Sequence, residues 1–373
     1  MKTISILITL LILGSLFGCF PDRVPTDPDF EALDVRRPAV EHHVPLSDAT
    51  DVSRSTTITV WFDELMDETS VQNNFLVWPS VKIDSIQVIA IDPNNPDILY
   101  AAKPGKGIFR SDDGAESWQW LTPASMRLPI TDLVVSRGNS NLLYAATASS
   151  GVYKSLDGGT VWQEISSGLP EMNVLAIAVD FNNDDVIYAA MNSTGIYKSE
   201  DGGLSWNAKN NGVKPARGPR DIVINPLDSN TLFAATNGDF ILKSVDGGES
   251  WTRLRNGLFT FNFNIVAIHP QDPSLVFAVS DGGGVYRSKN GGANWELIVQ
   301  GLTSLDIQSI ALHPLDTNKL MVSTTSGIFK SLDGGDSWFL SSTVAAEAVV
   351  SMLAIDPVTP ERIFAATTSG IYR

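Results

Sequence analysis

Cysteine is almost absent from this chain: Cys19 stands alone in 373 residues, which excludes an intrachain disulfide and any cysteine-rich metal site. Positive charge is scarce as well. Lys and Arg number 26 against 42 Asp and Glu, for a net charge of −16, and the acids are spread along the chain rather than massed in a tail. A field of that sign repels phosphate backbones, so it argues against a nucleic-acid partner and for good solubility. Long apolar runs are also missing, apart from Ile4 to Phe17 behind Lys2, which is short for a membrane span and has the form of a secretory signal. What remains, 43% hydrophobic and 18% charged residues, suits a globular protein with a substantial core.

The single cysteine closes that apolar run. Leu16-Phe17-Gly18-Cys19 resembles the lipobox of bacterial lipoproteins, with Leu at −3, a small residue at −1 and Cys at +1. The resemblance implies a signal peptide over 1–18, cleavage before Cys19 and lipid on its thiol; a plain signal peptide is the alternative. Phe20 follows instead of Asp, which in Gram-negative lipoproteins points to the outer membrane. Residues 19–44 carry Pro21, Pro25, Pro28 and Pro38 among acids and read as an extended tether. Residues 45–80 contain an alternating strand, Thr57 to Phe62, in TITVWFDELMD, which resembles the opening of the bacterial Ig-like domain of surface-layer proteins. Fewer than half of such a domain's strands fit, so either a truncated unit packs beside the main domain or its strands are absorbed there.

From residue 81 to 373 the chain repeats. SDDGAESW, SLDGGTVW, SEDGGLSW, SVDGGESW, SKNGGANW and SLDGGDSW end at Trp118, Trp162, Trp206, Trp251, Trp295 and Trp338, spaced 44, 44, 45, 44 and 43 residues apart. Each repeat offers four strand-like pieces. Strand a is an apolar run that in most copies ends in Asp, Asn or His before Pro. Strand b is of the LYAA type, strand c reads Gly-Ile/Val-aromatic-Lys/Arg, and the box turns the chain into strand d. That period and content predict an all-β, seven-bladed β-propeller of about 44-residue repeats. The seventh strand c, Ile371-Tyr372, has no box after it, so its blade lacks an outer strand. Phe75-Leu76-Val77-Trp78 is expected to supply that strand and close the ring; an unclosed last blade is the alternative.

The boxes resemble the Asp-box of BNR repeats, found in sialidases, xyloglucan-degrading glycosidases, sortilin receptors and photosystem II assembly-factor propellers; the resemblance covers about 290 of the 373 residues. Asp and Ser side chains satisfy backbone N–H groups in a tight turn and paired glycines supply positive φ, so Asp113, Asp157, Asp201, Asp246, Asn290 and Asp333 read as structural. The resemblance places the boxes on the face away from the binding site.

No catalytic residue, cofactor or metal is assigned. Sialidases need a nucleophilic tyrosine with a glutamate and an arginine cluster, and all seven tyrosines here occupy repeat positions in strands b and c. Xyloglucan-type enzymes work in a cleft between two propellers, and this chain encodes one. Asp239 and Asp281, on neighbouring b–c loops, form the least unfavourable carboxylate pair; those loops are short and leave little room for a pocket. His269 and His313 share the position held elsewhere by Asp92, Asp180 or Asp356 and read as turn residues. Asp180, Asn182 and Asp184 have alternate spacing suited to calcium but lie in the a–b turn of their repeat.

Departures from the repeat are therefore the informative residues. The connection from the third to the fourth blade carries Lys214, Arg217 and Arg220, and the next carries Phe259, Phe261 and Phe263. In the family these connections share a face with the b–c loops, so a basic and an aromatic edge are expected side by side, as a patch for an acidic or carbohydrate partner. The plain alternative has the phenylalanines filling the groove between blades and the arginines paired with acids. A second candidate is the start of each strand a: Gln87, Thr131, Leu175, Arg220, Asn264, Gln308 and Ser351, polar in six of seven, as at a wet channel mouth. The expectation is a monomeric, lipid-anchored, non-enzymatic scaffold of the cell envelope that binds a protein or polysaccharide. A glycoside hydrolase-like protein is the alternative.

Overall fold

The computed structural model describes residues 40–44, 59–62, 85–121, 128–214, 218–342 and 349–373, and these contain no helix. The chain divides into two compact units, Met1–Lys82 and Ile83–Arg373. In the first, Val40–Val44, the end of the stretch read as a tether, pairs antiparallel with Thr59–Phe62, the described part of the alternating segment. Cys19, the tether residues 19–39 and Phe75–Trp78 lie outside the described residues.

The second unit is a ring of seven antiparallel sheets, six of them running from strand a at the axis to strand d at the rim. Strands a of blades 1 to 7 are Val88–Ile91, Ile130–Val135, Val174–Val179, Pro219–Asn225, Phe263–Ile268, Ile307–Leu312 and Val350–Ile355. Blade 7 has three strands among the described residues; the other six sheets have four.

Strand b shows why this sequence builds blades. Leu143–Thr147 is buried at every position, because both faces of a blade pack on a neighbour. Paired alanines such as Ala145 and Ala146 let adjacent sheets approach closely, while the aromatic beside them, Tyr144, fills the wedge that opens toward the rim. The buried apolar residues accordingly sort into seven clusters among the described residues, one per blade interface. The cluster between blades 7 and 1 joins Phe364 and Ala366 to Ile86, Ile89, Leu99 and Phe109. At that seam Ser85 and Ile86 also donate N–H bonds to the Thr368 and Thr367 carbonyls at 2.9 and 3.1 Å. Arg362 binds both Asp97 across the seam and the buried Asp356 at 2.6 Å.

The boxes work as turn chemistry. In blade 3 Ser199 Oγ donates to Asp201 and accepts from Gly203 N, each at 2.8 Å, and Asp201 accepts the Ser205 N–H at 2.9 Å. These bonds, led by the Ser205 hydroxyl, hold the Asp201 carboxyl down at about 2. Gly203 sits at φ +94 with an added Cβ 2.3 Å from Ile165, so only glycine fits there. Trp206 is then driven into the interface with blade 2, where its Nε1 donates to the Ile165 carbonyl at 2.7 Å.

A second device spans four of the interfaces. The basic residue of strand c donates to a box carbonyl of the next blade, and in blades 1, 2 and 4 it also lies over the strand-b aromatic of its own. Lys243 sits 5.1 Å from the Phe233 ring centroid and 2.8 Å from Gly291 O, and Arg287 Nη1 meets Gly334 O at 2.5 Å. Many of the few cations are thus internal fastenings.

Candidate functional site

The face that carries the b–c loops and the starts of strand a opens into a shallow cavity of about 580 Å³ on the ring axis. Gln87, Thr131, Leu175, Arg220 and Asn264 line it, with Val88, Ile130 and Asp281. Five of the seven strand-start positions singled out in the sequence thus meet at one mouth. The space comes from the axis and does not depend on the length of the b–c loops.

A β-bulge turns these residues toward the axis. In six blades the register of strand a against strand b slips by one residue, and the skipped residues are Thr131, Leu175, Arg220, Asn264, Gln308 and Ser351. The bulge also strands backbone N–H groups, and the following residue answers them. Asp132 accepts its neighbour Leu133 N at 2.8 Å and Ile177 N of blade 3 at 2.9 Å. Asp221 does the same for Ile222 and for Val266 of blade 5, and Ser309 Oγ accepts Leu353 N of blade 7. Burial pushes the Asp132 carboxyl up to about 6 and that of Asp221 to about 7, the latter with help from the charge of Asp132. Sequence reasoning missed this trio; its signal was a polar residue recurring at one repeat position in alternate blades.

Arg220 is exposed at the mouth and has no ion-pair partner among the described residues. Lys214 and Asp239 are arranged differently. Asp239 is 3% exposed, holds Arg253 at 2.6 Å and Lys214 at 3.3 Å, and does not line the cavity. Asp239 and Asp281, the least unfavourable carboxylate pair of the sequence, are therefore placed apart in role: the first carboxylate is paired with two cations, the second faces the cavity. Arg217 lies outside the described residues.

The aromatic edge divides. Phe263 is fully buried and packs edge-on against Tyr286 at 5.6 Å, so it belongs to the core between blades 4 and 5. Phe261 is 52% exposed and meets Phe240 at 6.4 Å, while Phe259 is 83% exposed. The Phe261 carbonyl accepts N–H bonds from Gly238 and Phe240, whose φ of +65 is unusual for a bulky residue. The b–c loop of blade 4, residues 237–240, is therefore held on one side by Lys214 and on the other by Phe261. The basic and aromatic connections do flank a common loop, beside the mouth that Arg220 lines.

The remaining candidates resolve as structure. The Asp180 carboxylate accepts from Asn182 N and from Ser229 of blade 4, whereas Asp184 accepts from Ser136 of blade 2, so the two point to opposite neighbours rather than to one cation. His269 and His313 each accept turn N–H groups at Nδ1. Burial raises Tyr100 to about 12 and shifts Tyr144 and Tyr188 the same way, and all three hydroxyls bond to carbonyls of the next blade, which is the reverse of a poised nucleophile.

Comparison with known proteins agrees with this architecture. The family model described as sortilin, neurotensin receptor 3, matches residues 150–282, and that of the bacterial Ig-like domain matches residues 34–96, which runs on into strand a of blade 1. A search of curated proteins gives no match. Among solved structures, the GH74 enzyme of Niastella koreensis aligns at 20% identity and a TM-score of 0.66, over 78% of this chain and 52% of that one. The GH74 xyloglucanase of Xanthomonas campestris aligns at 18% and 0.66, over 77% and 51%. YCF48 bound to D1 peptide aligns at 18% and 0.61, over 78% and 92%. The chain spans about half the length of the two GH74 structures. The fold is a BNR-type β-propeller with a bacterial Ig-like feature before it.

Proposed function

We propose that this propeller is a non-enzymatic binding scaffold, lipid-anchored at Cys19 to the bacterial envelope, which holds a protein or polysaccharide ligand at the mouth of its central channel. The observation that carries this reading is Arg220, a cation without an ion-pair partner among the described residues, on an axial cavity with Asn264, Thr131 and Gln87 beside it. Such a mouth offers one charge and several neutral hydrogen-bonding groups against the apolar walls of Val88, Ile130 and Leu175, as ligand sites commonly do. Exposed Phe259 and Phe261 extend the surface outward. YCF48, which shares the fold, has been solved with a peptide bound. Hydrolysis of a glycosidic bond calls for two carboxylates across one bond, and among the described residues lining the cavity only Asp281 supplies one.

The test has two arms. Arg220→Ala combined with Phe261→Ala should weaken binding to isolated envelope polysaccharide, or to partners captured from detergent-solubilised envelope, by roughly tenfold or more, equivalent to about 1.4 kcal/mol. Unchanged binding removes the mouth from consideration, and turnover on a glycan array restores the hydrolase. Cys19→Ser should move the protein from the membrane to the soluble fraction; retention at the membrane would overturn the anchor.

A further inference from the structure

The opposite face of the ring, built from the a–b turns and the boxes, has a chemistry that the repeat does not require. On blades 2, 3 and 4 six apolar side chains stand in solvent: Leu156, Val161, Phe181, Leu204, Leu227 and Val245, with Leu204 71% and Leu227 68% exposed. The corresponding box positions of blades 1 and 5 hold Asp112, Glu116, Lys289 and Asn294, so the turn itself does not need an aliphatic there. Blades 6 and 7 carry three more, Leu315, Leu332 and Val358, but the run is continuous over blades 2 to 4. Hydrogen bonds tie these turns together. Box and a–b turn of one blade are joined by Gly158 N to Asn141 O, Gly202 N to Asp185 O and Gly247 N to Asn230 O. Successive blades are joined by Lys154 to Gly202 O, by Asn182 to Ser229 and by Tyr188 to Gly247 O.

The same segments are acidic. Residues 136–142, 155–162, 180–186, 199–206, 225–231 and 244–251 hold nine Asp and Glu against one Arg, Arg137. Arg137 lies over the Phe181 ring at 5.7 Å. Counting Lys154, Lys198 and Lys209, which reach Asp185, Glu200 and Glu249 from the blades, and Arg110, which reaches Gly158 O from blade 1, acids still exceed bases nine to five. Aliphatics and carboxylates alternate along the surface, as in Leu156-Asp157, Leu227-Asp228 and Val245-Asp246.

We infer that this arc of blades 2 to 4 is a second docking surface, whose occupant is a basic polypeptide segment of a partner protein bearing apolar side chains. Charge complementarity selects that occupant. A second copy would bring a like-charged face, on a chain of net charge −16, against the first, and an anionic bilayer is repelled in the same way. Exposed aliphatics supply the burial that a purely electrostatic contact lacks, and the surrounding carboxylates steer and orient the cations. This surface is independent of the channel mouth and stands or falls separately from it.

The experiment uses the full chain and a labelled 14-residue amphipathic Lys/Leu peptide as probe, with a Glu/Leu peptide of the same pattern as its counterpart. Fluorescence anisotropy is read at low and at physiological salt. The Lys/Leu peptide should bind and the Glu/Leu peptide should not. The triple variant Leu156→Ser, Leu204→Ser, Val245→Ser should lose affinity at least tenfold, while Leu315→Ser with Val358→Ser, and separately Arg220→Ala, leave it unchanged. All these side chains except Arg220 point into solvent from turns, and equal melting temperatures confirm that the fold survives; Leu204→Ser alone, with a smaller loss, serves if the triple variant melts early. Equal affinity of the triple variant, or loss of binding through salt alone, overturns the proposal. So does dissociation of a dimer by these substitutions on a sizing column, or their abolishing sedimentation with phosphatidylglycerol vesicles, since the occupant would then be a second copy or a membrane.

Discussion

Trp206 concentrates the stability of an interface in one side chain. It is 6% exposed, packs against Tyr144 and Ile165 of blade 2, and gives its only polar hydrogen to a carbonyl there. Trp206→Ala should therefore cost about 3–5 kcal/mol in chemical denaturation, with cavity and lost hydrogen bond adding to the transfer energy. The box residues around it were legible in the sequence because their chemistry is local: a serine, an aspartate and paired glycines satisfy one turn whatever lies beyond it. Phe259, Phe261 and Phe263 were less legible. Alternate spacing suggests one shared face, but the strand begins only at Phe263, and ahead of it the chain follows the b–c loop, so Phe259 ends in solvent and Phe263 in the core.

The bulged strand a is the element that converts a regular blade into a lining for the mouth. Its carboxylates give it a measurable pH signature. Asp221 and Asp132 titrate near 7 and 6 in the fold, above the usual range for an unfolded chain, so the fold favours their protonated forms. Their contribution is complete below about pH 4 and is lost as pH rises to about 7. Asp201, Asp246 and Asp333, held at about 2, act in the opposite sense: their contribution is present above about pH 4 and is lost as pH falls toward 2. Melting temperature should thus peak in weak acid, and Asp221→Asn should flatten the decline between pH 5 and 8. An unchanged slope in that variant would show that another group governs the decline. A bulge leaves no residue signature of its own, which is why the polar starts of strand a could be listed from the sequence while their common orientation, and the role of Asp132 and Asp221 beneath them, could not.

At the scale of the whole molecule the ring is joined at the seam between blades 7 and 1. It has its own apolar cluster, but Arg362 replaces the usual strand-c cation in reaching the neighbouring turn. Arg362→Met should cost about 2–3 kcal/mol, since the buried Asp356 loses its counter-ion and the bond to Asp97 goes with it. In hydrogen exchange the amides of Ser85 and Ile86 should then open well before those of Ile187–Met191, the strand b of blade 3; uniform exchange around the ring would contradict a localised seam. The number of blades followed from the box spacing, because a 44-residue ruler counts itself. How the ring joins depends on contacts between residues some 265 positions apart, such as Arg362 with Asp97, for which periodicity holds no information.

In blades 1, 2, 4 and 5 the cation of strand c reaches forward to the box of the next blade, as Lys243 does to Gly291 and Arg287 to Gly334, so dependence across those four interfaces has a direction. Each of these blades leans on its successor. An open stack of repeats has a first and a last member at which fraying starts at little cost. A ring joined by Ser85 and Ile86 to Thr368 and Thr367 has neither, and at the four directed interfaces damage to a box turn is transmitted backward to the blade before it.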